Sequence, residues 1–352
     1  MRTDKTAYLT NLSKFISGSP ISEDSPFFNL SGLPFYKSYS IALNKLWATI
    51  DSENLKPIQK WENENLSLHS KNIKEVFYPF SGADFVNLYG FYPNSKKYLM
   101  VALENPGKIS DPISITTDQM KKALQSLKIL ISEISERNYF RRRIMKQEFK
   151  NPHFSGVLPA LLIFMTRMGL EVEEIANIEI DENGNEIQSR ENLMATKKCN
   201  GVKIHFFDPK TNTSKELTYL SVMLGENSHE KITPEGNYFQ KLKDFAVLMK
   251  SAEYLFFRIN LNGFRDMLIQ KSNIILQDDS GIPFNYFSAN EWKINLFGKY
   301  TKPALLTGVP LQPVQTLLKD KFKSESSPLN FSYGYGILRG KNESNIMLFQ
   351  RK

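Results

Sequence analysis

Residues 77–85 read FYPFSGADF, and residues 98–104 read YLMVALE. In each segment a run of bulky apolar side chains gives way to small or charged ones. The first run predicts a strand over residues 76–80, and Pro79, which has no N–H to donate to a neighbour, predicts that this strand ends at an edge or rim of a sheet. The second run predicts a strand covered on both faces, with Glu104 at the point where it emerges. Together they predict a sheet rim that carries polar side chains.

Between these two strands, Ser81 and Gly82 have the composition of a turn. Ser81 is expected to cap a short helix that begins near Ala83, and Asp84 in its first turn suits the positive end of the helix dipole. Alternatively, this corner displays Tyr78, Ser81 and Asp84 to a ligand, because α/β proteins bind ligands where strands end. The residues leave both interpretations open.

The chain has 352 residues, of which 41% are hydrophobic and 12% aromatic. This composition supports a packed core and excludes a disordered chain. The length allows one large domain or two closely packed ones, and no clear linker separates them. We expect a helical segment over residues 1–70, packed on a mixed α/β domain over residues 71–352. The net charge of +8 is spread along the whole chain and so indicates no particular partner.

Composition also restricts the kinds of site and location. The single cysteine, Cys199, cannot form an intrachain disulfide, and the four histidines lack the spacing of metal ligands, so we expect no structural metal and no cofactor. No apolar run reaches about 18 residues, so no transmembrane span is expected. The first residues lack the apolar core of a signal peptide, which predicts either a cytoplasmic protein or an envelope protein whose export segment is not in this sequence.

Apolar periodicity predicts a mixed α/β fold with a central mixed sheet, packed helices and hairpin additions. One predicted helix is apolar nearly all round and is expected to be central and buried. The predicted helices cover residues 36–50, 116–134, 156–169 (the buried one), 236–249 and 314–322. Further strands and hairpins are predicted over residues 172–188, 202–220, 252–259, 274–277, 292–300 and 331–349, the last with its turn at residues 340–342.

The densest basic cluster reads YFRRRIMK at residues 139–146. It is either a clamp for phosphate or carboxylate, or a solvated helix end whose cations oppose the negative end of the dipole. Its four cations would neutralise only about four phosphates, so no specific nucleic-acid partner is expected. Arg141 directly follows two aromatic residues, and we expect it to pair with Asp84, Glu104 or Asp279.

A second polar turn follows an apolar strand in IILQDDSGIP, residues 274–283. Burial of the adjacent carboxylates Asp278 and Asp279 would raise the pKa of one and leave the other ionised, giving an acid and a base in one site. Alternatively, these carboxylates cap the turn. Ser280 and Tyr286 are candidate ligand contacts beside them, and we expect this turn to share a rim with the turn at residues 81–84.

Taken together, these motifs resemble a family of functionally uncharacterised bacterial proteins that are often made with export signals. In this chain, Ala83 stands where the family pattern usually has proline, and Ile144 stands where it usually has a carboxylate. The resemblance implies no activity, but its export signals imply a location in the cell envelope or periplasm. The residues that carry it are 78–82, 84–85, 103–104, 140–141, 156–159 and 275–283.

Two classes of function follow from these observations. The first is an envelope binding or accessory protein that recognises a polar polymer such as a glycan, or a small anionic ligand. The second is a metal-independent hydrolase in which Asp84, Glu104 and Asp278 or Asp279 act as acid and base while Arg141 holds an anionic group. The chain has no GxSxG, P-loop or GxGxxG motif, which leads us to prefer binding. The oligomeric state stays open.

Overall fold

The computed structural model describes residues 4–189, 200–225, 230, 233–306, 309–310, 312–339 and 343–352. Most strands belong to one ten-stranded mixed sheet with the order β11-β14-β10-β9-β1-β2-β8-β7-β5-β6, while β3 pairs with β4 and β12 with β13. The strands are β1 Glu75–Pro79, β2 Lys97–Ala102, β3 Lys108–Ile109, β4 Phe154–Ser155, β5 Glu171–Ile180, β6 Glu186–Gln188, β7 Asn200–Asp208, β8 Thr213–Ser221, β9 Phe245–Met249, β10 Ser272–Gln277, β11 Trp292–Gly298, β12 Leu305–Leu306, β13 Val309–Pro310 and β14 Asn345–Arg351.

Helices cover both faces of this sheet. Along β1 the side chains alternate, so that Val76 and Tyr78 join one buried apolar cluster and Phe77 joins another on the opposite face. Helices α1, α3, α4, α6, α7 and α9 contribute to the first cluster, and α10, α11 and α12 contribute to the second. The helices are α1 Asp4–Ile16, α2 Phe28–Ser31, α3 Pro34–Ile50, α4 Lys56–Asn65, α5 Ser67–Ser70, α6 Phe85–Phe91, α7 Thr117–Arg137, α8 Arg142–Glu148, α9 Leu158–Arg167, α10 Pro234–Lys241, α11 Asn262–Lys271 and α12 Thr316–Glu325.

Five neighbouring strands of the sheet, in the order β10-β9-β1-β2-β8, run parallel. The chain proceeds outward from β1 through β2 to β8, then returns to the other side of β1 and proceeds through β9 to β10. The direction of winding therefore reverses between β1 and β9, where Phe77 lies opposite Val247. This is a topological switch point, and in open α/β sheets the crevice at the carboxyl ends of such strands is where ligands bind.

The mixed α/β fold with a central mixed sheet is confirmed. The hairpins at residues 172–188 and 202–220 are also confirmed, and they extend the sheet on one side as β5 with β6 and β7 with β8. Helix α9 is shorter than residues 156–169, but its residues from Leu158 to Met165 are buried, as expected of a central helix. None of the helices in the described part of the chain has the length and apolarity needed to cross a bilayer.

Two predicted elements around residue 250 are wrong. The helix predicted over residues 236–249 ends at Lys241, and the apolar run that follows forms β9, a strand buried on both faces. A short apolar run fits either a helix or a buried strand, so periodicity alone does not separate them. The strand predicted over residues 252–259 is instead a pair of short 3₁₀ turns.

Two predictions about the sheet also need correction. Pro79 does end its strand at a rim of the sheet, but β1 is not an edge strand, because it has partners on both sides. β9 pairs only with the beginning of β1, so Pro79 removes no hydrogen bond from that ladder. The closing hairpin is wrong as well: Gly334–Arg339 is a 3₁₀ segment, and β14 pairs with β10 and β11. The turn predicted at residues 340–342 lies outside the described residues.

The burial of α9 gives a direct test of the fold. Leu161 is fully buried, so Leu161→Asp places an unpaired carboxylate in the core and should lower the free energy of unfolding by about 3 kcal/mol or more. Leu68→Asp is the matched control, because Leu68 is 75% exposed. Thermal melts check both variants, and a Leu161→Asp protein that melts with the parent would show that α9 is not central.

Candidate functional site

A crevice of about 370 Å³ lies at the carboxyl ends of β1, β2, β8 and β9, over the switch point. This volume falls in the range of roughly 300–1,000 Å³ that small-molecule sites occupy. Its walls present polar and apolar surface in nearly equal amounts, and four of the lining residues are charged. The crevice is lined by Phe80, Gly82, Ala102, Leu103, Glu104, Phe140, Arg142, Met145, Val222, Met223, Leu224, Ser251, Ala252, Glu253, Leu255, Arg258 and Tyr335.

The charged side chains of the crevice are Glu104, Glu253, Arg142 and Arg258. Glu104 follows the end of β2, as the sequence predicts. Partial burial raises the pKa of Glu104 above its ordinary value of 4.5, and the nearby Glu253 raises it further, while the Arg142 guanidinium acts in the opposite direction. Two carboxylates and two guanidinium groups therefore share one crevice with apolar side chains.

The backbone at the crevice is strained. Four residues other than glycine have left-handed φ angles at the ends of the two strands that flank the switch point: Phe80 (59°) after β1, and Ser251 (52°), Glu253 (53°) and Tyr254 (56°) after β9. Such conformations cost about 1–3 kcal/mol each and tend to be kept where they place groups for function. The strained residues therefore follow the same strands, β1 and β9, whose carboxyl ends form part of the crevice.

Asp84 and Lys250, which are close in the chain to the crevice residues Gly82 and Ser251, form a buried ion pair. The distance from Lys250 Nζ to Asp84 Oδ2 is 2.6 Å, and the side chains are 1% and 3% exposed. Tyr78 donates its hydroxyl to Asp84 Oδ2 at 3.0 Å, and Asn87 donates its side-chain amide to Asp84 Oδ1 at 2.8 Å. Burial lowers the pKa of Lys250, and the Asp84 carboxylate opposes that shift. The pair thus keeps hydrogen-bonded partners although water is excluded.

The same network reaches the end of α7. Asn138 caps this helix in the left-handed conformation, with φ of 58°. Its backbone carbonyl accepts a hydrogen bond from Lys250 Nζ, and its side-chain oxygen accepts one from Asn87 Nδ2 at 3.0 Å. The ends of β1 and β9 and the adjoining ends of α6 and α7 are therefore held together by one set of buried polar contacts.

Asp278 and Asp279 are also at the carboxyl edge of the sheet, because β10 runs parallel to β9 and β1. Asp278 accepts hydrogen bonds from the Ser280 hydroxyl (2.5 Å) and the Ser251 N–H (3.2 Å). Burial, and then the neighbouring Asp279 charge, raise the pKa of Asp278 from 3.8 to about 6. Asp279 accepts from the Tyr254 hydroxyl at 2.9 Å and from Asn345 Nδ2 at 2.8 Å. The two predicted polar turns thus lie at the same edge, but these carboxylates bind the protein's own loops and do not line the crevice.

The other predicted site residues are distributed differently. Ser81 is buried and does not cap α6; its hydroxyl donates to the carbonyl of Gly82, and Asp84 is the cap. Ser280 is held by Asp278. Tyr286 packs against the Arg265 guanidinium, 3.6 Å from its ring centroid, and is not among the residues that line the crevice.

The predicted partner of Arg141 is wrong. Arg141 binds Glu133 with two hydrogen bonds of 2.7 Å, and none of the three predicted acids contacts it. The left-handed turn at Asn138 reverses the chain and brings residue 141 back beside α7. The cluster is not at the C-terminal end of a helix either, since Arg142 begins α8 and lines the crevice.

Sequence reasoning missed Lys250 and Glu253. Both follow β9, where an apolar run breaks into polar residues in the same way as after β1 and β10. This pattern is visible in the sequence, but it was not recognised as the end of a strand because residues 236–249 were assigned to a helix. Arg142 was visible only as a member of the basic cluster, and Glu253 and Arg258 both lay in the segment predicted as a strand over residues 252–259.

Within the described residues, no group of three or more histidine, cysteine, aspartate or glutamate side chains is arranged to hold a metal ion. Comparison with protein-family models, with curated proteins and with solved structures finds no match to this chain. The function is therefore inferred from the geometry of the crevice.

The buried pair should dominate the stability of the carboxyl edge. Lys250→Met leaves the Asp84 charge without its partner and should cost about 3–5 kcal/mol of unfolding free energy. The double variant Lys250→Met/Asp84→Asn should recover part of that loss, because no charge then stays buried. Chemical denaturation of the two single variants and the double variant measures the coupling. Losses that add would contradict a direct interaction between the two side chains.

Proposed function

We propose that the crevice binds a small molecule containing a ribonucleoside, and that the Glu104 carboxylate accepts hydrogen bonds from its ribose hydroxyls. The observation that carries the proposal is the position of Glu104. In doubly wound sheets of this strand order, an acidic residue about 20 positions after the first turn holds the ribose. Glu104 follows β2 and lies 22 positions after Gly82, the glycine of the turn after β1.

The remaining walls suit the base of a nucleoside. Phe80, Phe140, Met145 and Leu255 present aromatic and aliphatic surface around the crevice. Stacking of a base on an aromatic side chain contributes about 1–3 kcal/mol and works with any base. Glu104 would then supply orientation while the apolar walls supply affinity.

A polar polymer such as a glycan is the alternative ligand. Sugars also present neighbouring hydroxyls, which Glu104 could bind in the same way. The volume of about 370 Å³ is in the range of small-molecule sites, which favours a single small molecule. A location in the cell envelope rests on the motif resemblance alone and stays a prediction.

A hydrolase is a second candidate, but with different acids. Asp84, Asp278 and Asp279 are all buried, and all three are bound to protein groups. Glu104 and Glu253 are the carboxylates that line the crevice, and the raised pKa of Glu104 is suitable for a general acid. Any acid–base chemistry would therefore use this pair, with Arg142 in place of Arg141 as the anion-binding group.

Calorimetric titration of the full chain with adenosine tests the proposal, with a short oligosaccharide as the competing ligand. Glu104→Gln should weaken adenosine binding at least about tenfold, because a charged acceptor contributes about 1.5–3 kcal/mol. Glu23→Gln is the matched control, since Glu23 is exposed and lies far from the crevice in the chain. Equal binding by Glu104→Gln and Glu23→Gln, or preference for the oligosaccharide, would contradict the ribonucleoside assignment.

The same titration at lower pH examines the charge state of Glu104. The ionised carboxylate is the acceptor, and its pKa lies above 4.5, so the affinity of the parent protein should fall on acidification before pH 4.5 is reached. Binding by Glu104→Gln should not change over that interval. A parent protein whose affinity is constant from pH 8 to pH 4.5 would show that Glu104 is not the acceptor.

A further inference from the structure

We infer that the nucleoside recognised by this crevice carries no phosphate at its 5′ position, and that its 5′ substituent is uncharged or zwitterionic. Adenosine is an example of the first kind and S-adenosylhomocysteine, with an ammonium and a carboxylate, of the second. This inference rests on the proposed function. Three observations on the residues around the crevice support it.

The place where doubly wound sheets bind phosphate is already occupied in this protein. In such sheets the phosphates lie against the N-terminus of the first helix, whose free N–H groups and dipole attract negative charge. Here α6 is that helix, and Asp84 caps it by accepting the N–H of Asn87. A phosphate at this position would meet a fixed carboxylate of the same sign.

The cation next to that helix end, Lys250, is also already bound by other groups of the protein. Lys250 is 1% exposed, and its ammonium is bound by the Asp84 carboxylate and by the Asn138 carbonyl. A phosphate could use Lys250 only by displacing Asp84 from the buried pair. That exchange would leave the displaced carboxylate without a cation in a site that excludes water.

The charges that do face the crevice are balanced. Glu104 and Glu253 carry negative charge, and Arg142 and Arg258 carry positive charge. Arg142 and Glu253 line the same crevice as Glu104, so charges of both signs share one space. A zwitterion matches such a surface, whereas a phosphate with two negative charges is attracted by one pair and repelled by the other.

Competition between nucleosides tests this on the full-length chain. Titrations with adenosine, S-adenosylhomocysteine, AMP and ADP are compared at one pH and one salt concentration. S-adenosylhomocysteine and adenosine should each bind at least tenfold more tightly than AMP. AMP or ADP binding as tightly as adenosine would overturn the inference but not the proposed function, whereas no binding by any of the four would overturn both.

A second experiment uses a variant designed to bind phosphate at the N-terminus of α6. Asp84→Ser keeps a capping hydroxyl but removes the carboxylate and releases Lys250, so the preference for adenosine over AMP should shrink about tenfold. Asp118→Ser is the matched control, because Asp118 lies in the first turn of α7 and its side chain is 84% exposed. An unchanged preference in folded Asp84→Ser would overturn the role given to Asp84. If that variant does not fold, the adenosine-to-AMP ratio of the parent protein still decides the inference.

Discussion

Lys250 and Asp84 form an ion pair from which water is almost completely excluded, with an Nζ–Oδ2 distance of 2.6 Å. Neither charge could be buried there alone, because an isolated ion in the interior is strongly destabilising. Tyr78, Asn87 and Asn138 supply the further hydrogen bonds that make the pair tolerable. These residues belong to the ends of β1 and α7, to α6 and to the residue after β9, so one polar network determines how the elements around the switch point meet.

The rest of the carboxyl edge is built on that network. Asp278 binds the N–H groups of Ser251 and Tyr335, which holds the segment after β9 and the segment before β14 against the end of β10. The chain passes so close to Asp278 that a Cβ atom at Gly334 would lie 1.8 Å from the carboxylate oxygen, and Gly334 also has a φ of 58°. Ser251, one of the residues with a left-handed φ angle, is held directly by its contact with Asp278. The result is a crevice whose walls are held by the protein's own contacts.

The sequence predicted where the polar turns lie in the sheet better than it predicted which residues line the crevice. Residues 77–85 and 274–283 show apolar runs that break into polar turns, and both turns do lie where parallel strands end. What a turn's carboxylates bind depends on distant residues, such as Asn345 for Asp279, which no local pattern reveals. β9 was not predicted, because its apolar residues fit helical spacing as well as the pattern of a buried strand. Lys250 and Glu253, which follow β9, were therefore not identified as site residues. The partner of Arg141 was missed because it depends on a chain reversal at Asn138.

Methionine methyl NMR tests the central claim, the binding of a nucleoside over the switch point, most directly. Among the described methionines, Met145 and Met223 line the crevice, whereas Met120 is a buried residue of α7 and Met267 belongs to the apolar cluster on the other face of the sheet. Titration of the methyl-labelled protein with adenosine should shift the Met145 and Met223 resonances and leave those of Met120 and Met267 unchanged. No shift at saturating adenosine, or shifts confined to Met120 or Met267, would contradict a ligand site in this crevice.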